Sequence, residues 1–313
     1  MSIRDIEISV GGKWIAVPAL HVEGRNIVRA GKLVRIARVH DEEWLETELA
    51  DPEACLQALR QSGFAADLFT FSHKPPQTTP RFDYPVDFES IAIARTANFQ
   101  AWWEALPQET RKNVRRSQKR GVTVTVKPFD EELVTGIAAV NNESPTRQGR
   151  NNKHYGKTLA QVRRDHESFV DRSDFLCAFL GAELIGYLKL VYRGDVASIL
   201  NIVSKRSHQD KRPTNALIAK AVDLCQQKGI SNLVYGKYFY GNKQNSPLLE
   251  FKVRNGFREI LTPRFYVPLT KWGAMCLKLK LYRGPVGLLP PSLIDMGLKV
   301  RTRLYDAKNH GPV

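Results

Sequence analysis

Between residues 174 and 257 the chain switches hydrophobic period from two to about 3.6 and back, and that ordered switch limits its fold more than any single residue. Three β-prone apolar runs, 175–180, 184–192 and 196–203, are separated by Gly181-Ala182-Glu183 and by Arg193-Gly194-Asp195. Short gaps that contain glycine predict hairpins. Beyond a polar loop at 204–212, apolar residues fall three and four apart at Leu217, Ile218, Ala221, Val222, Leu224 and Cys225. This spacing predicts a helix with Pro213 in its first turn and Gly229 at its end. Residues 232–236 return as a strand, 248–257 read as a second helix closed by glycine, and a strand over 259–267, broken at Pro263, completes a sheet. The class is α/β, a mixed central sheet flanked by helices.

Length and charge divide the chain. Its 313 residues, 42% hydrophobic, suffice for one large core or two modest ones. Residues 1–98 carry 11 Lys+Arg against 14 Asp+Glu, residues 99–269 carry 28 against 16, and residues 270–313 carry 8 against 2. A near-neutral start followed by a basic remainder predicts a smaller N-terminal α/β lobe over 1–98, a catalytic or binding domain over 99–269 that meets an anion, and a basic C-terminal extension over 270–313. A solvated basic face is the plain alternative. Cys55, Cys177, Cys225 and Cys276 lie far apart, with no Cys-x-x-Cys and no nearby histidine pair. This argues against a disulfide framework and a zinc site, and fits a reducing cytoplasm. No apolar run approaches the ~20 residues of a spanning helix, so the protein is expected to be soluble, or peripheral at the inner face of a membrane.

In the first lobe, residues 6–39 are β-prone and punctuated by Gly11-Gly12, Gly24 and Gly31. Residues 41–61 show helical spacing at Leu45, Leu49, Leu56 and Leu59, and the proline-rich stretch 69–85 reads as a loop or linker. The strongest local constellation lies just after residue 98. Between Pro107 and Gly121, Arg111, Arg115 and Lys119 form one row at four-residue spacing and Lys112, Arg116 and Arg120 the adjacent one. Such a helix faces either an anion or solvent. Trp102 and Trp103 before it suit core packing or stacking on a base.

Two segments carry a resemblance. Residues 245–257, Asn-Ser-Pro-Leu-Leu-Glu-Phe-Lys-Val-Arg-Asn-Gly-Phe, resemble the late helix of the GNAT acyltransferase superfamily, whose pattern is Phe-Tyr, three residues, then Gly-Phe. Lysine stands here in place of the tyrosine. A Phe-Lys pair ahead of the glycine is similar to the FemAB-like branch, which adds amino acids to peptidoglycan precursors, and residues 111–122 resemble the basic helix that opens the acyltransferase region there. The resemblance spans roughly residues 99–269. It implies a GNAT-like sheet, with two intertwined lobes of similar fold in many FemAB-like chains, and an N-acyltransferase acting without metal or covalently bound cofactor. The implied partners are an anionic donor (acyl-CoA, acyl carrier protein or aminoacyl-tRNA) and an amine acceptor, with nucleic acid involved only if the donor is tRNA. Cell-envelope, polysaccharide or lipid precursor synthesis is the implied setting. A catalytically silent module of the same fold, binding nucleic acid or anionic membrane, is the alternative.

The resemblance also assigns residues. The superfamily binds the acyl-CoA pyrophosphate with a Gln/Arg-x-x-Gly-x-Gly/Ala loop, at a helix N-terminus where unpaired amides and the dipole favour an anion. This chain offers Gln209-Asp210-Lys211-Arg212-Pro213-Thr214, without either glycine. Side chains at Arg212 and Thr214 crowd the backbone approach and Pro213 removes a donor. Gln209, Lys211, Arg212, Thr214 and Asn215, with Asn245 at the second helix, are the donor-binding candidates, Lys211 and Arg212 through their side chains. Lys252 takes the place of the tyrosine acid and is the candidate for stabilising charge. Asn201, in the third strand, lies where strand amides meet the acyl group.

From the residues themselves, the polar loop 141–150 contributes Glu143 as candidate base and Arg147 and Arg150 as a grip for an acceptor carboxylate or phosphate. His154 and Tyr155 follow, the histidine read as structural or exposed. Tyr155 and Tyr238, with Tyr235 and Tyr240, are candidate substrate-site walls, and Arg115 and Arg116 of the basic helix candidate contacts to an anionic substrate. In the tail, Leu277, Leu279, Leu281, Leu288, Leu289, Leu293, Ile294 and Leu298 mix with Lys278, Lys280, Arg283, Lys299, Arg301 and Arg303, split by Pro290-Pro291. That mixture suits either an interfacial helix on anionic lipid or an extension packed on its own lobe.

Overall fold

A computed structural model of the chain describes residues 2–10, 12–40, 44–147, 150–240 and 246–283. In order the elements are β1 (Ile3–Val10), β2 (Lys13–Val22), β3 (Arg25–Ala30), β4 (Ile36–Val39), α1 (Pro52–Gln61), β5 (Leu68–Ser72), β6 (Val86–Arg95), α2 (Phe99–Ala105), α3 (Gln108–Lys119), β7 (Val122–Lys127) and α4 (Glu131–Asn141). A short hairpin, β8 (Thr146–Arg147) and β9 (Arg150–Asn151), precedes α5 (Leu159–His166), β10 (Ser173–Leu180), β11 (Glu183–Arg193), β12 (Val196–Ser204), α6 (Pro213–Gln227), β13 (Asn232–Lys237), α7 (Pro247–Arg254), β14 (Arg258–Pro268) and α8 (Lys271–Lys278). The α/β class and the mixed sheet flanked by helices are those read from the sequence.

Twelve strands form one sheet in the order β1-β2-β3-β4-β5-β14-β6-β13-β12-β11-β10-β7. Its two halves repeat one plan. In the first, an antiparallel meander β1–β4 crosses through α1 to β5, parallel to β4. In the second, the antiparallel strands β7, β10, β11 and β12 are followed by α6 and by β13, parallel to β12. Each half then sends its next strand into the other. β6 follows β5 in the chain but pairs with β13, whereas β14 follows β13 but pairs with β5. The exchanged strands pair with each other from Arg258↔Ile93 to Phe265↔Val86. The sheet is therefore continuous across residue 98.

Alternation along the strands assigns the layers. Leu176, Ala178, Leu188 and Leu190 face a core with α2, α3 and α6, while their neighbours Phe175, Cys177 and Tyr187 face α4 and α5. α1 buries Leu56 and Leu59 against Phe69, Phe71 and Phe265. At the centre Ile91 and Ile93 of β6 pack with Val196, Val234 and Trp44. All four cysteines are buried free thiols, and among the described residues no helix is long and apolar enough to cross a membrane.

Three local expectations change. Helix α1 begins at Pro52, after Asp51 caps the Glu53 amide at 2.9 Å, so Leu45 and Leu49 are buried from a loop despite their helical spacing. Residues 68–72, which run into the proline-rich stretch 69–85, form the fully buried strand β5, because every side chain there has a covered face. β14 runs unbroken through Pro263. The Pro263 carbonyl accepts from the His73 amide (2.9 Å), so the proline nitrogen also faces the β5 side, at the end of that ladder, and removes no bond to β6.

Because the halves share exchanged strands, they should unfold together. Ile91→Ala, which empties a fully buried site in β6, is expected to cost about 2–5 kcal/mol and to shift a single urea transition followed by both fluorescence and circular dichroism. Two separate transitions, with only one displaced, would contradict the shared core.

Candidate functional site

The site begins where two parallel strands stop pairing. β12 and β13 bond only through Val196, Ala197 and Ser198 with Asn232, Leu233 and Val234. Past that point both strands are irregular. Leu200 is the extra residue of β12, since Lys189 faces Asn201 but Leu190 faces Ile199, and β13 bulges against β6 between Val234 and Lys237. The second bulge includes Gly236 at φ 58°, a left-handed conformation that a side chain resists. The strands splay and leave a cleft of about 800 Å³ at their C-terminal ends, where α/β sheets hold ligands.

Each wall has its own chemistry. Ile202, Val203, Tyr235, Leu248 and Phe251 give an apolar floor and side. At the mouth stand Arg206, Gln209, Arg212, Pro213, Thr214 and Asn215, from the loop after β12 and the first turn of α6. Arg212 has φ 56° and is the N-cap of α6, its carbonyl accepting from the Asn215 amide at 3.1 Å. A conformation better suited to glycine is thus held by an arginine, at a cost of about 1–2 kcal/mol. Ser204 and Thr214 hydroxyls meet at 3.0 Å, and Asn215 Nδ2 donates to Asn255 Oδ1 at 3.2 Å. Opposite lie Glu143, Ser144, Asn152, Lys153 and His154.

Glu143 determines what the mouth can bind. Its carboxylate accepts from the backbone amides of Arg206 and Ser207, the latter at 2.8 Å, and from the Ser207 hydroxyl at 2.5 Å. The loop amides nearest the end of β12 are therefore capped from within the protein. Pro213 has no N–H to add, and the Arg206 and Arg212 side chains bring positive charge to the mouth. The same loop is held from below, where Arg120 Nη1 donates to the Asp210 carbonyl (2.6 Å) and carboxylate (3.1 Å), and Lys211 pairs with Asp210 at 2.9 Å. That pairing, with Lys211 first and Arg120 adding, keeps the Asp210 carboxyl below its usual range.

Among the described residues lining the cleft, His154 has a buried ring nitrogen with unmet bonding capacity. Its Nδ1 is buried without a hydrogen-bond partner. Burial first, then Lys153 and Lys157, lowers its pKa to about 4, so the ring is neutral at physiological pH. Tyr235 is a neutral phenol too, its pKa raised mainly by burial. Behind that ring Lys252 is fully buried, its Nζ donating to the Lys237 carbonyl and lying 4.7 Å from the Tyr235 centroid and 5.0 Å from that of Tyr240.

Of the sequence candidates, Glu143, Gln209, Arg212, Thr214 and Asn215 meet in this cleft, as does Tyr235. Lys252 sits one layer behind the wall, adjacent in sequence to Phe251, which lines it. Asn201 is beside the β12 bulge with a buried, unpartnered Oδ1 and is not part of the wall. Arg147 and Arg150 pair across the β8–β9 hairpin, whose last residue, Asn151, borders the cleft. Tyr155 is exposed, and Tyr238, tied by its amide to the Ser90 carbonyl at 2.9 Å, lies outside the wall. Arg115 stacks on Trp103 at 5.6 Å and Arg116 donates to Asn113 at 3.2 Å, both on α3 away from the cleft. Asn245 lies outside the described residues, as does the tail from residue 284 onward. Arg206, Asn152 and Phe251 were not singled out by sequence. Arg206 was legible only as the second residue after a strand, and Asn152 only as part of a polar loop.

A scan against protein-family models gives no match, and a search of curated proteins gives none either. Solved structures do match. A structure of FemX is 10% identical, over 89% of this chain and 90% of its own, with a TM-score of 0.51. L-PGS from Bacillus licheniformis is 14% identical over 81% and 84%, TM-score 0.51. A C-terminal domain assigned to a lysylphosphatidylglycerol synthetase of Agrobacterium fabrum is 12% identical over 84% and 88%, TM-score 0.53. The fold is FemAB-like GNAT. Within that FemAB-like fold, the splayed strands and the α6 N-terminus form the cleft described above, with Arg212 and Thr214 at the two positions where the GNAT loop pattern has glycines.

The buried histidines predict acid sensitivity. An unfolded histidine takes its proton near pH 6.5, whereas His154 resists until about 4, and burial lowers the pKa of His166 in the same sense. The unfolded chain binds protons first, so stability is full above about pH 6.5 and declines as pH falls towards 4. Tm measured across this window should fall more steeply for the wild type than for His154→Gln. Parallel profiles would show that His154 is not the group responsible.

Proposed function

We propose that this protein is an N-acyltransferase that moves an aminoacyl group from aminoacyl-tRNA to an amine acceptor. One arrangement carries the choice of donor. The amides of Arg206 and Ser207, leading into the loop where a pyrophosphate would bind, are capped by Glu143. Those of Gln209, Lys211 and Arg212 within it donate to the Arg206, His208 and Gln209 carbonyls, Pro213 has none, and the loop itself is fastened through Arg120 and Asp210 to the end of α3. Lys112, Arg115 and Lys119 of that helix are exposed, and Arg111 and Arg116 are half-buried. A helix of cations leading to an arginine-lined mouth suits a long polyanion better than the compact phosphates of CoA. The structural likeness to a protein named lysylphosphatidylglycerol synthetase, a name that couples an amino acid to a lipid, is consistent with a cell-envelope acceptor.

In the reaction, the acceptor nitrogen attacks the ester carbonyl, whose π electrons move onto oxygen. When the tetrahedral adduct collapses, the bond to the ribose oxygen breaks and that oxygen takes up a proton as nitrogen loses one. No metal is invoked. Tyr235, kept neutral by burial, supplies the O–H for the developing oxyanion, with the Lys252 ammonium behind its ring adding positive potential. His154, neutral with an unpartnered Nδ1, accepts from the attacking amine and orients it. Glu143 acts as the cap of the donor loop in this scheme, not as the base. Arg147 and Arg150 are assigned to the acceptor side, next to Asn151 in the cleft wall.

The donor assignment is tested by titrating the protein with charged tRNA and with CoA. We expect tRNA binding whose salt slope falls by about 2–3 in Lys112→Gln/Arg115→Gln/Lys119→Gln, and no stoichiometric CoA complex by calorimetry. A tight CoA complex with an unchanged salt slope would overturn the choice. For the chemistry, Tyr235→Phe should lower kcat by about 10²–10³ at unaltered Tm, the loss typical of an oxyanion donor. Unchanged turnover in both Tyr235→Phe and Lys252→Ala would remove these residues from the chemistry, and tRNA binding by a wild type that turns over no donor would favour a silent binding module.

A further inference from the structure

Helix α8 presents two apolar faces, and among the described residues only one of them is buried against the fold. Inward, Gly273 and Cys276 are buried, and the contact is close enough that a Cβ on Gly273 would lie 1.8 Å from the Asp67 carbonyl oxygen. Outward, Trp272, Met275 and Leu279 recur at i, i+3 and i+7 and are 37%, 46% and 55% exposed. The turn between β3 and β4 extends this stripe. Leu33 is 71% exposed, and its carbonyl accepts from Trp272 Nε1 at 3.1 Å, so the tip of the first half and the helix after the second form one patch.

The charge around the patch has one sign. Lys32, Lys271, Lys278 and Lys280 are exposed, and among the described residues none of them has a carboxylate partner. The nearby acids are already taken, Asp67 by Arg35 at 2.8 Å and Asp87 by Arg283 at 2.7 Å. A protein partner with acidic residues would meet the lysines but would need a matching apolar ridge. A bilayer supplies both features at once, with anionic headgroups for the ammonium groups and an interfacial layer that receives Trp, Met and Leu. The sequence continues from this patch for 30 more residues, in which Leu288, Leu289, Leu293, Ile294 and Leu298 are followed by Lys299, Arg301 and Arg303.

We infer that α8 and the β3–β4 turn dock the protein on the surface of an anionic phospholipid bilayer. Trp272, Met275, Leu279 and Leu33 enter the headgroup region and the four lysines ring them. The inference is independent of the transfer chemistry, because it requires neither donor nor turnover.

The test is co-sedimentation of the full-length chain with vesicles of phosphatidylcholine alone and of phosphatidylcholine with about one third phosphatidylglycerol. Binding is expected only to the anionic vesicles and should weaken with salt. Each lysine near the surface contributes a factor of about five, so Lys271→Gln/Lys278→Gln/Lys280→Gln should lower partitioning roughly a hundredfold. Met275→Ser/Leu279→Ser, which leaves the inward contacts intact, should lower it by about tenfold or more. In the wild type, amide exchange over 271–279 and at the Leu33 turn should slow when anionic vesicles are added, a readout that needs no variant. Equal binding to neutral vesicles, or full binding by both variants, would overturn the inference and transfer any membrane affinity to residues beyond 283. A concentration-dependent dimer abolished by Met275→Ser/Leu279→Ser would overturn it as well, since a second copy would then cover the patch.

Discussion

The antiparallel pairing of β6 with β14 is the interaction on which the remaining architecture depends. Each strand belongs in sequence to one half and in space to the other, so the central ladder from Arg258↔Ile93 to Phe265↔Val86 joins the two meanders. It also positions the site. β13 is held on one side by β6 and on the other, over three residue pairs only, by β12. Hydrogen bonds to β6 keep β13 in the sheet while the bulge at Tyr235 and Gly236 turns it from β12. β6 and β11 pair the far edges of the two strands and so keep each in the sheet where they no longer pair with one another. The cleft is a consequence of strand exchange and bulges together.

Much of this was legible from sequence because it rests on local periodicity. The hairpins, α6 with its leading proline and α7 with its glycine appear at or near their expected places, since each is specified by residues within one element. The misreadings share a different cause. Leu45 and Leu49 keep a helical spacing but are buried by a loop that packs Trp44 on the central strands, a contact that depends on residues 91, 93, 196 and 234. β5 was obscured because a strand buried on both faces has no polar alternation, and its prolines lie just beyond it. Pro263 was read as a break because the direction of its nitrogen depends on register, which one sequence does not fix.

The site was half legible for the same reason. Gln209, Arg212, Thr214 and Asn215 follow from chain order, since whatever joins β12 to α6 must border the gap beyond β12. Glu143 was recognised as chemically interesting but for a different task. Its sequence neighbourhood suggested a base, whereas the fold brings it 64 residues along the chain to the Ser207 amide. His154 gave no distinguishing signal at all. An unpartnered Nδ1 is a property of what the fold leaves empty around the ring, and no spacing in the chain encodes that.

Lys252 shows how a matching motif position can carry a different geometry. A lysine ammonium buried to 0% exposure must have its charge met by oriented dipoles or aromatic faces, and the Lys237 carbonyl and the Tyr235 and Tyr240 rings are so arranged. Each of those three groups lies at or beyond the β13 bulge. The lysine thus fastens α7 to the segment that diverges from β12, and the same charge lies behind a tyrosine in the cleft wall. Structural and electrostatic roles are not alternatives here. Removing the ammonium would release the carbonyl, loosen the Tyr235 wall and lower the local potential together. A replacement that kept the wall in place while losing the charge would separate the two effects, and Met, of similar length and without an ammonium, comes nearest to that.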